Sequence, residues 1–221
     1  MYTRHHTLEF AGVTLHRIDF DPTTFLQTDL LWLPHHASLA HAGRKRRAEH
    51  LAGRIASVHA LSAFGEKKVP GIGEKRQPLW PAELHGSITH CGTTALAVVA
   101  QKPVGIDMET VFSDEMADEL AAEIVTKEEC QHLQESKLPF PLALTLAFSA
   151  KESLYKALSP LTKSIPGFTS VRVSAIDAQQ ITLTCLADFS PTLAGTSLSI
   201  AWVQDHQQVI TLTRGVTSPG K

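Results

Sequence analysis

Two pairs of charged residues have types and spacings that could do chemistry. Glu152 and Lys156 are four residues apart in a predicted helix, so both side chains leave the same helix face. Asp107 and Glu109 are two residues apart in a predicted strand, so their carboxylates also share a face. A Glu–Lys pair at this spacing is by itself typical of a surface salt bridge. The second acidic pair favours a functional site.

Three carboxylates that meet without histidine or cysteine favour a hard cation. Asp107, Glu109 and Glu152 would repel one another, and a divalent ion relieves that repulsion. Oxygen ligands favour Mg²⁺, which usually takes phosphate oxygens as its remaining ligands. Lys156, one turn beyond Glu152, would then face the bound phosphate. The residues predict a Mg²⁺–pyrophosphate site and phosphoryl-group chemistry, which depends on positioning and charge neutralisation.

A basic stripe lies upstream of these acids. Arg46, His50 and Arg54 recur every four residues and share one face of a predicted helix. Such a run is usually a solvated face, but arginine also suits phosphate because its planar fork donates two parallel hydrogen bonds. Further cations or hydrogen-bond donors follow at Lys75, Arg76 and His90. The stripe is therefore a candidate polyanion clamp.

Helical periodicity and turn signals indicate the elements that position these residues. We predict a long helix over 37–64 that stops at Gly65, a loop over 67–81, and helices over 114–124, 127–135 and 142–158, the last ended by Pro160. Alternating or β-branched runs predict a hairpin within 8–20 that turns at Gly12, and strands over 95–100, 104–109, 168–176, 180–186, 197–203 and 208–212.

This pattern predicts an α/β fold of the α+β type. Each half of the chain combines strands with one long helix, so we expect one functional unit over 1–221 made of two similar lobes, 1–103 and 104–221. Each lobe would be a small, mostly antiparallel sheet with its helix. A length of 221 residues with 43% hydrophobic content is enough for a sizeable core.

Composition excludes several classes of protein. The net charge of −2 and the pI of about 6.6 do not indicate a nucleic-acid binder. The three scattered cysteines predict neither a disulfide framework nor a cysteine zinc site, and they suit a reducing cytoplasm. No signal peptide and no spanning apolar segment is recognisable, although peripheral attachment to a membrane is compatible with the sequence. P-loop, GxGxxG and GxSxG motifs are absent from the sequence.

Three ordered motifs resemble those of a known family. Residues 104–109, VGIDME, resemble its metal-binding (V)GxDxE motif, and residues 148–157, FSAKESLYKA, resemble its (F/W)xxKExxxK motif. Residues 86–91, GSITHC, resemble its S(I/L)(S/T)H segment. The family is that of the 4′-phosphopantetheinyl transferases of the surfactin type. The resemblance implies two lobes related by pseudo-twofold symmetry, with coenzyme A in the cleft between them.

The resemblance also implies an activity and its partners. The enzyme would move 4′-phosphopantetheine from coenzyme A to a serine of apo aryl or peptidyl carrier domains and release adenosine 3′,5′-bisphosphate. The carriers would belong to a nonribosomal peptide synthetase that makes a siderophore. Two alternatives are a Mg²⁺-dependent hydrolase of the coenzyme A pyrophosphate and a noncatalytic subunit that binds coenzyme A. We expect a monomer.

By motif position, the resemblance gives each residue a role. Asp107, Glu109 and Glu152 would bind Mg²⁺, and Lys156 would contact the pyrophosphate. Coenzyme A would be held by Arg46, Arg54, Lys75, Arg76, Thr89 and His90. Glu129 aligns with a glutamate proposed as general base in some relatives, and Glu109 or a water on the metal could serve instead.

Overall fold

The computed structural model describes residues 1–159 and 167–215. These fall into two compact units, Met1–Gln101 and Lys102–Lys221, which compare with predicted lobes at 1–103 and 104–221. Each unit is built around its own antiparallel sheet and one long helix. The predicted α+β class is therefore confirmed.

Unit 1 contains a four-stranded antiparallel sheet. Its strands are β1 (Tyr2–Phe10), β2 (Val13–Asp21), β5 (His85–Cys91) and β6 (Thr94–Ala100), in the order β1-β2-β6-β5. The predicted hairpin turns at Ala11 and Gly12, whose φ angles of 49° and 82° suit a two-residue turn of this kind. The helix α1 (Arg44–Ser62) buries its apolar side against this sheet.

The predicted start of α1 at residue 37 is wrong, because the helix begins at Arg44. The preceding residues form a separate 3₁₀ turn, His36–Leu39. Arg47 donates from Nε to the Leu39 carbonyl at 3.0 Å and from Nη2 to the Ala40 carbonyl, so its side chain binds this turn to the helix. The helix ends at Ser62, two residues before the predicted end, and the turn that follows reaches Gly65, which adopts a φ of 76°.

The segment predicted as a loop over 67–81 contains a short hairpin. Strands β3 (Gly71–Ile72) and β4 (Pro78–Leu79) pair with each other. Two side chains hold its ends. Arg54 donates to the carbonyls of Pro70 and Gly71 at 2.8 and 3.0 Å. Trp80 lies over Gly86 so closely that a Cβ on that glycine would be 2.5 Å from the indole.

Unit 2 contains a five-stranded antiparallel sheet. Its strands are β7 (Val104–Thr110), β8 (Val171–Ile176), β9 (Gln180–Cys185), β10 (Ser197–Asp205) and β11 (Gln208–Arg214), in the order β7-β11-β10-β9-β8. Its helices are α2 (Asp114–Ile124), α3 (Lys127–Glu135) and α4 (Phe140–Leu158). The predicted α2 and α3 are confirmed, and α4 starts two residues earlier than predicted. Pro160, the predicted terminator, lies outside the described residues.

Small residues allow α4 to lie very close to the sheet. A Cβ added to Gly105 on β7 would be 1.8 Å from the backbone oxygen of Ser153 on α4. Two hydroxyl pairs join the same helix to β11: Ser149 with Thr211 at 2.8 Å, and Ser153 with Thr213 at 3.0 Å. This close contact brings the chemistry-bearing residues of α4 against those of β7.

Among the described residues, no helix combines the length and apolar character needed to cross a bilayer.

Candidate active site

The two charged pairs predicted from the sequence meet in unit 2. β7 carries Asp107 and Glu109, and α4 carries Glu152 and Lys156. Asp107 is 4% exposed, and its Oδ1 accepts a hydrogen bond from Lys156 Nζ at 3.2 Å. The same ammonium donates to the Ile106 carbonyl at 3.0 Å. The spacing of Lys156 and Glu152 is typical of a salt bridge, but the ion pair that Lys156 forms here is with Asp107.

The carboxylates of this site destabilise one another's charge. Burial, followed by the charge of Asp107 and a hydrogen bond with its side chain, raises the pKa of Glu109 to about 8, while Lys156 acts in the opposite direction. Burial and then the charge of Asp107 also raise the pKa of Glu152, while Lys156 acts in the opposite direction. The charge of Asp107 therefore acts on both Glu109 and Glu152.

The site has chemistry that suits a metal ion. Asp107 Oδ2 is buried and has no hydrogen-bond partner among the described residues, which is a costly state for a carboxylate oxygen. A divalent cation would bind this oxygen and also relieve the repulsion with Glu109 and Glu152. Within residues 1–159 and 167–215, however, no three acidic, histidine or cysteine side chains are already arranged as a metal site. The Mg²⁺ ligand set is therefore a proposal.

The general-base role predicted for Glu129 is not supported by its surroundings. This residue is 1% exposed, and its Oε1 accepts hydrogen bonds from Lys151 Nζ at 2.7 Å and from the Val173 amide at 2.8 Å. Its Oε2 accepts from the Thr126 amide at 2.7 Å, which completes a capping box at the start of α3. A carboxylate enclosed by three donors cannot reach a hydroxyl on another protein, so Glu129 is a structural residue here.

Lys151 is the partner that the sequence analysis missed. Its side chain is fully buried, and Nζ donates to Glu129 and to the carbonyls of Ile124 and Phe168, both at 2.9 Å. The lysine thus joins α4 to the end of α2, to α3 and to the segment before β8. The motif over 148–157 contained the signal: Lys151 lies beside Glu152 but on a different face of the helix.

In unit 1, several predicted phosphate-binding residues line one pocket. The pocket measures about 460 Å³ and is lined by Arg46, Glu49, His50, Gly53, Arg54, Pro78, Ile88 and His90. Arg46, His50 and Arg54 come from one face of α1, and His90 comes from β5. The predicted stripe of α1 and the predicted histidine are thereby brought together.

The basic residues of this pocket differ in burial and in charge. Arg54 is 5% exposed, and burial lowers its pKa to about 10, yet no carboxylate pairs with it among the described residues. His50 is half-buried; burial, then the charge of Arg54, lowers its pKa to about 3. It therefore adds no charge at neutral pH, and its Nε2 lies 2.8 Å from Nε2 of His35. Arg54 supplies a buried positive charge that a bound anion would neutralise.

The remaining predicted cofactor residues lie outside the described lining of this pocket. Lys75 and Arg76 are exposed on the turn between β3 and β4. Thr89 is 5% exposed on β5, next to His90 in sequence and so directed to the other side of the strand. Glu49 was not predicted from the sequence, and its Oε2 is 2.7 Å from His90 Nδ1. That contact joins a helix to a strand, so no local spacing indicates it.

Comparison with known proteins gives the family. A family model described as the 4′-phosphopantetheinyl transferase N-terminal domain matches residues 34–100, and one described as the 4′-phosphopantetheinyl transferase superfamily matches residues 103–213. The chain is 54% identical over 217 residues to enterobactin synthase component D of Salmonella typhimurium, covering 98% of this chain and 92% of that protein.

Two further relatives agree with this match. Enterobactin synthase component D of Escherichia coli is 56% identical over 181 residues, covering 82% of this chain and 87% of that protein. The 4′-phosphopantetheinyl transferase PptT of Mycobacterium tuberculosis is 34% identical over 155 residues, or 64% of each chain. These matches agree with the carboxylates of β7 and α4 and the lysine beside them. The chain belongs to the 4′-phosphopantetheinyl transferase superfamily.

Proposed function

We propose that this enzyme transfers 4′-phosphopantetheine from coenzyme A to a serine of apo aryl and peptidyl carrier domains, releasing adenosine 3′,5′-bisphosphate. The carriers are those of the nonribosomal peptide synthetases that make enterobactin, a catecholate siderophore. The names of the most similar relatives support this assignment. Within the superfamily, the motifs favour the surfactin-type group. We also propose a monomer that acts in the cytoplasm.

The observation that carries the proposal is the unpartnered, buried Oδ2 of Asp107 beside Lys156. Asp107, Glu109 and Glu152 are the residues that would hold Mg²⁺. When bound, the ion supplies charge neutralisation at the pyrophosphate of coenzyme A. Lys156, oriented by Asp107 Oδ1 and the Ile106 carbonyl, contacts the same phosphates. Its ammonium stabilises the negative charge that develops on the departing bisphosphate.

In the transfer step, the carrier serine attacks the phosphorus that bears pantetheine, and adenosine 3′,5′-bisphosphate departs. The serine hydroxyl must lose its proton during this step. With Glu129 enclosed by its own donors, Glu109 is the carboxylate of this chain that we assign to accept the proton. Glu109 is partly exposed at the end of β7, where a substrate can approach it.

The pocket of unit 1 is proposed to bind phosphate groups of coenzyme A. Arg46 and Arg54 supply positive charge, and His90 supplies a hydrogen-bond donor. The unneutralised buried charge of Arg54 supports this role. Lys75, Arg76 and Thr89 are proposed as further contacts on the strength of the motif resemblance. Lys75 and Arg76 are solvent-accessible, as such contacts require.

The test is the labelling of purified apo carriers with fluorescent coenzyme A. We expect labelling that requires Mg²⁺, with an apo aryl carrier from an enterobactin synthetase among the substrates. Asp107→Ala and Glu152→Ala should each reduce the rate to below about 1% while thermal unfolding shows an intact fold. Failure of the folded protein to label any aryl or peptidyl carrier would overturn the proposal. Release of 4′-phosphopantetheine without a carrier would indicate the hydrolase instead.

A further inference from the structure

One acid lies among the cations of the unit 1 pocket. Glu49 on α1 lines the pocket together with Arg46, Arg54 and His90, and its side chain is only 14% exposed. A carboxylate at this position repels an anionic ligand, and partial burial strengthens that repulsion. Its presence in a phosphate-binding pocket therefore calls for a compensating role.

The contacts of Glu49 indicate what that role is. Its Oε2 lies 2.7 Å from Nδ1 of His90, a short contact that joins α1 to β5. Its Oε1 is 3.9 Å from Nζ of Lys45, but the Lys45 side chain is 85% exposed, so solvent screens that pair. His90 is thus the partner with which Glu49 interacts strongly.

We propose that Glu49 is a positioning residue that acts on coenzyme A through His90. It accepts the hydrogen bond from Nδ1–H of His90, which fixes the ring and leaves Nε2 for a phosphate oxygen. A phosphate oxygen accepts only from Nε2–H, so the ring that joins Glu49 to the phosphate donates from both nitrogens and lies between two anions. A carboxylate that orients a histidine from behind in this manner is common at metal and catalytic sites. The inference rests on the proposed function of the pocket.

This arrangement predicts that removing the charge of Glu49 has opposite effects on coenzyme A binding with and without His90. A merely structural residue would not produce this reversal. While His90 is present, removing the charge of Glu49 releases the ring and weakens the binding of coenzyme A. When His90 is absent, the carboxylate only repels the phosphate, so removing its charge improves binding. A residue that simply stabilises the fold would weaken binding in both backgrounds.

The experiment is a double-mutant cycle on the full chain, with the dissociation constant of coenzyme A measured by titration calorimetry. We expect Glu49→Gln to raise this constant about 10-fold, the effect of one charge-assisted hydrogen bond. In the His90→Ala background, Glu49→Gln should lower it about 2- to 3-fold. Lys45→Ala is the matched control, since it removes the other charge near Glu49, and it should change the constant less than about 2-fold.

Steady-state kinetics provide a second readout. Glu49→Gln should raise KM for coenzyme A while kcat and KM for the carrier stay unchanged, because Glu49 does not touch the reacting atoms. If Glu49→Gln does not fold in thermal unfolding, Glu49→Asp, which keeps the charge but shortens the reach to His90, should bind coenzyme A more weakly than the wild-type protein.

Weaker binding in both backgrounds, or an unchanged constant for Glu49→Gln alone, would overturn the role of Glu49. A wild-type protein that binds coenzyme A but labels no carrier would contradict the proposed function instead.

Discussion

Each unit buries one cation of its long helix, and the two cations have different kinds of partner. In unit 2, Lys151 is fully buried and pairs with Glu129 at 2.7 Å. In unit 1, Arg54 is 5% exposed, and its described hydrogen-bond acceptors are the backbone carbonyls of Pro70 and Gly71. The charge of Lys151 is neutralised by a carboxylate, whereas among the described residues Arg54 meets only backbone carbonyls. This difference is the basis for proposing an anion site at Arg54 and not at Lys151.

The glycines at the two contacts between helix and sheet show a second difference. Gly105 lies on a strand under α4, and an added Cβ would be 1.8 Å from a backbone oxygen. Gly53 lies on α1 itself, and an added Cβ would be 2.9 Å from Cγ2 of the Ile88 side chain. The backbone of α4 cannot move away from Gly105 without shifting the helix. The side chain of Ile88 can move away from Gly53 by itself. The site of unit 2 therefore depends on close packing more strongly than the pocket of unit 1.

The largest effect on stability is expected from breaking the buried ion pair. Lys151→Met leaves the carboxylate of Glu129 buried without its charged partner, and should lower the free energy of unfolding by about 3–5 kcal/mol. The double variant Lys151→Met, Glu129→Gln removes both charges and should recover part of that loss. Urea denaturation measures the free energy of unfolding of the single and the double variant. A loss below about 1 kcal/mol for Lys151→Met would contradict the structural role of the pair.

The glycine comparison is tested by a matched pair of substitutions. Gly105→Ala should lower the free energy of unfolding by about 3 kcal/mol and the labelling rate at least about 100-fold, because α4 must move away from Asp107. Gly53→Ala should cost less than about 1.5 kcal/mol, because Ile88 can adjust and alanine favours the helix. Equal effects of the two substitutions on stability and labelling would remove the proposed distinction.

Substitution of Arg54 tests whether its charge is reserved for a ligand. Arg54→Met should raise the dissociation constant of coenzyme A about 10-fold while destabilising the fold less than Lys151→Met does. Arg54→Lys, which keeps the charge but loses the planar fork, should retain part of the affinity. Calorimetric titration with coenzyme A distinguishes these outcomes, and unchanged affinity in Arg54→Met would show that the arginine serves only the hairpin.

A smaller effect is expected from pH in unit 1. His50 has a pKa of about 3 in the folded protein, below its ordinary value of 6.5. Between these values the unfolded chain binds a proton that the folded protein does not, so stability is full above pH 6.5 and falls as the pH falls. Allowing for partial exposure, we expect about 1 kcal/mol to be lost between pH 7 and 5. In His50→Gln, the stability measured by thermal unfolding should depend less steeply on pH. An unchanged dependence on pH would contradict the assignment to His50.

Local rules were sufficient where an element carries its own signals. The predicted helices α2 and α3 are each capped by a residue next to them in sequence, Ser113 and Thr126, whose side chains accept from backbone amides of the first turn. The start of α1 was missed because side-chain contacts of Arg47, not local propensity, end the preceding turn. Asp107, Glu109, Glu152 and Lys156 were found by spacing, since two short motifs contain them.

Residues whose role depends on distant contacts could not be predicted. Glu129 was expected to be the general base from its alignment with relatives, and the sequence does not show that Lys151 and Val173 enclose it. Gly105 was read as a motif position, and only packing shows that α4 needs it. Glu49 had no signal because its partner, His90, is 41 residues away in sequence. Long-range burial and pairing, not local pattern, determine all three.

The most direct test of the account is the response of Asp107→Asn to Mg²⁺. This substitution keeps the shape of the side chain and removes the charge that we assign to the metal. With coenzyme A present, Mg²⁺ at about 100 times its dissociation constant should stabilise the wild-type protein by about 2.7 kcal/mol. The Asp107→Asn protein should show neither this stabilisation nor labelling of an apo carrier. If the Asp107→Asn protein were stabilised by Mg²⁺ and labelled carrier as the wild-type protein does, the unpartnered carboxylate oxygen of Asp107 would not be the metal ligand.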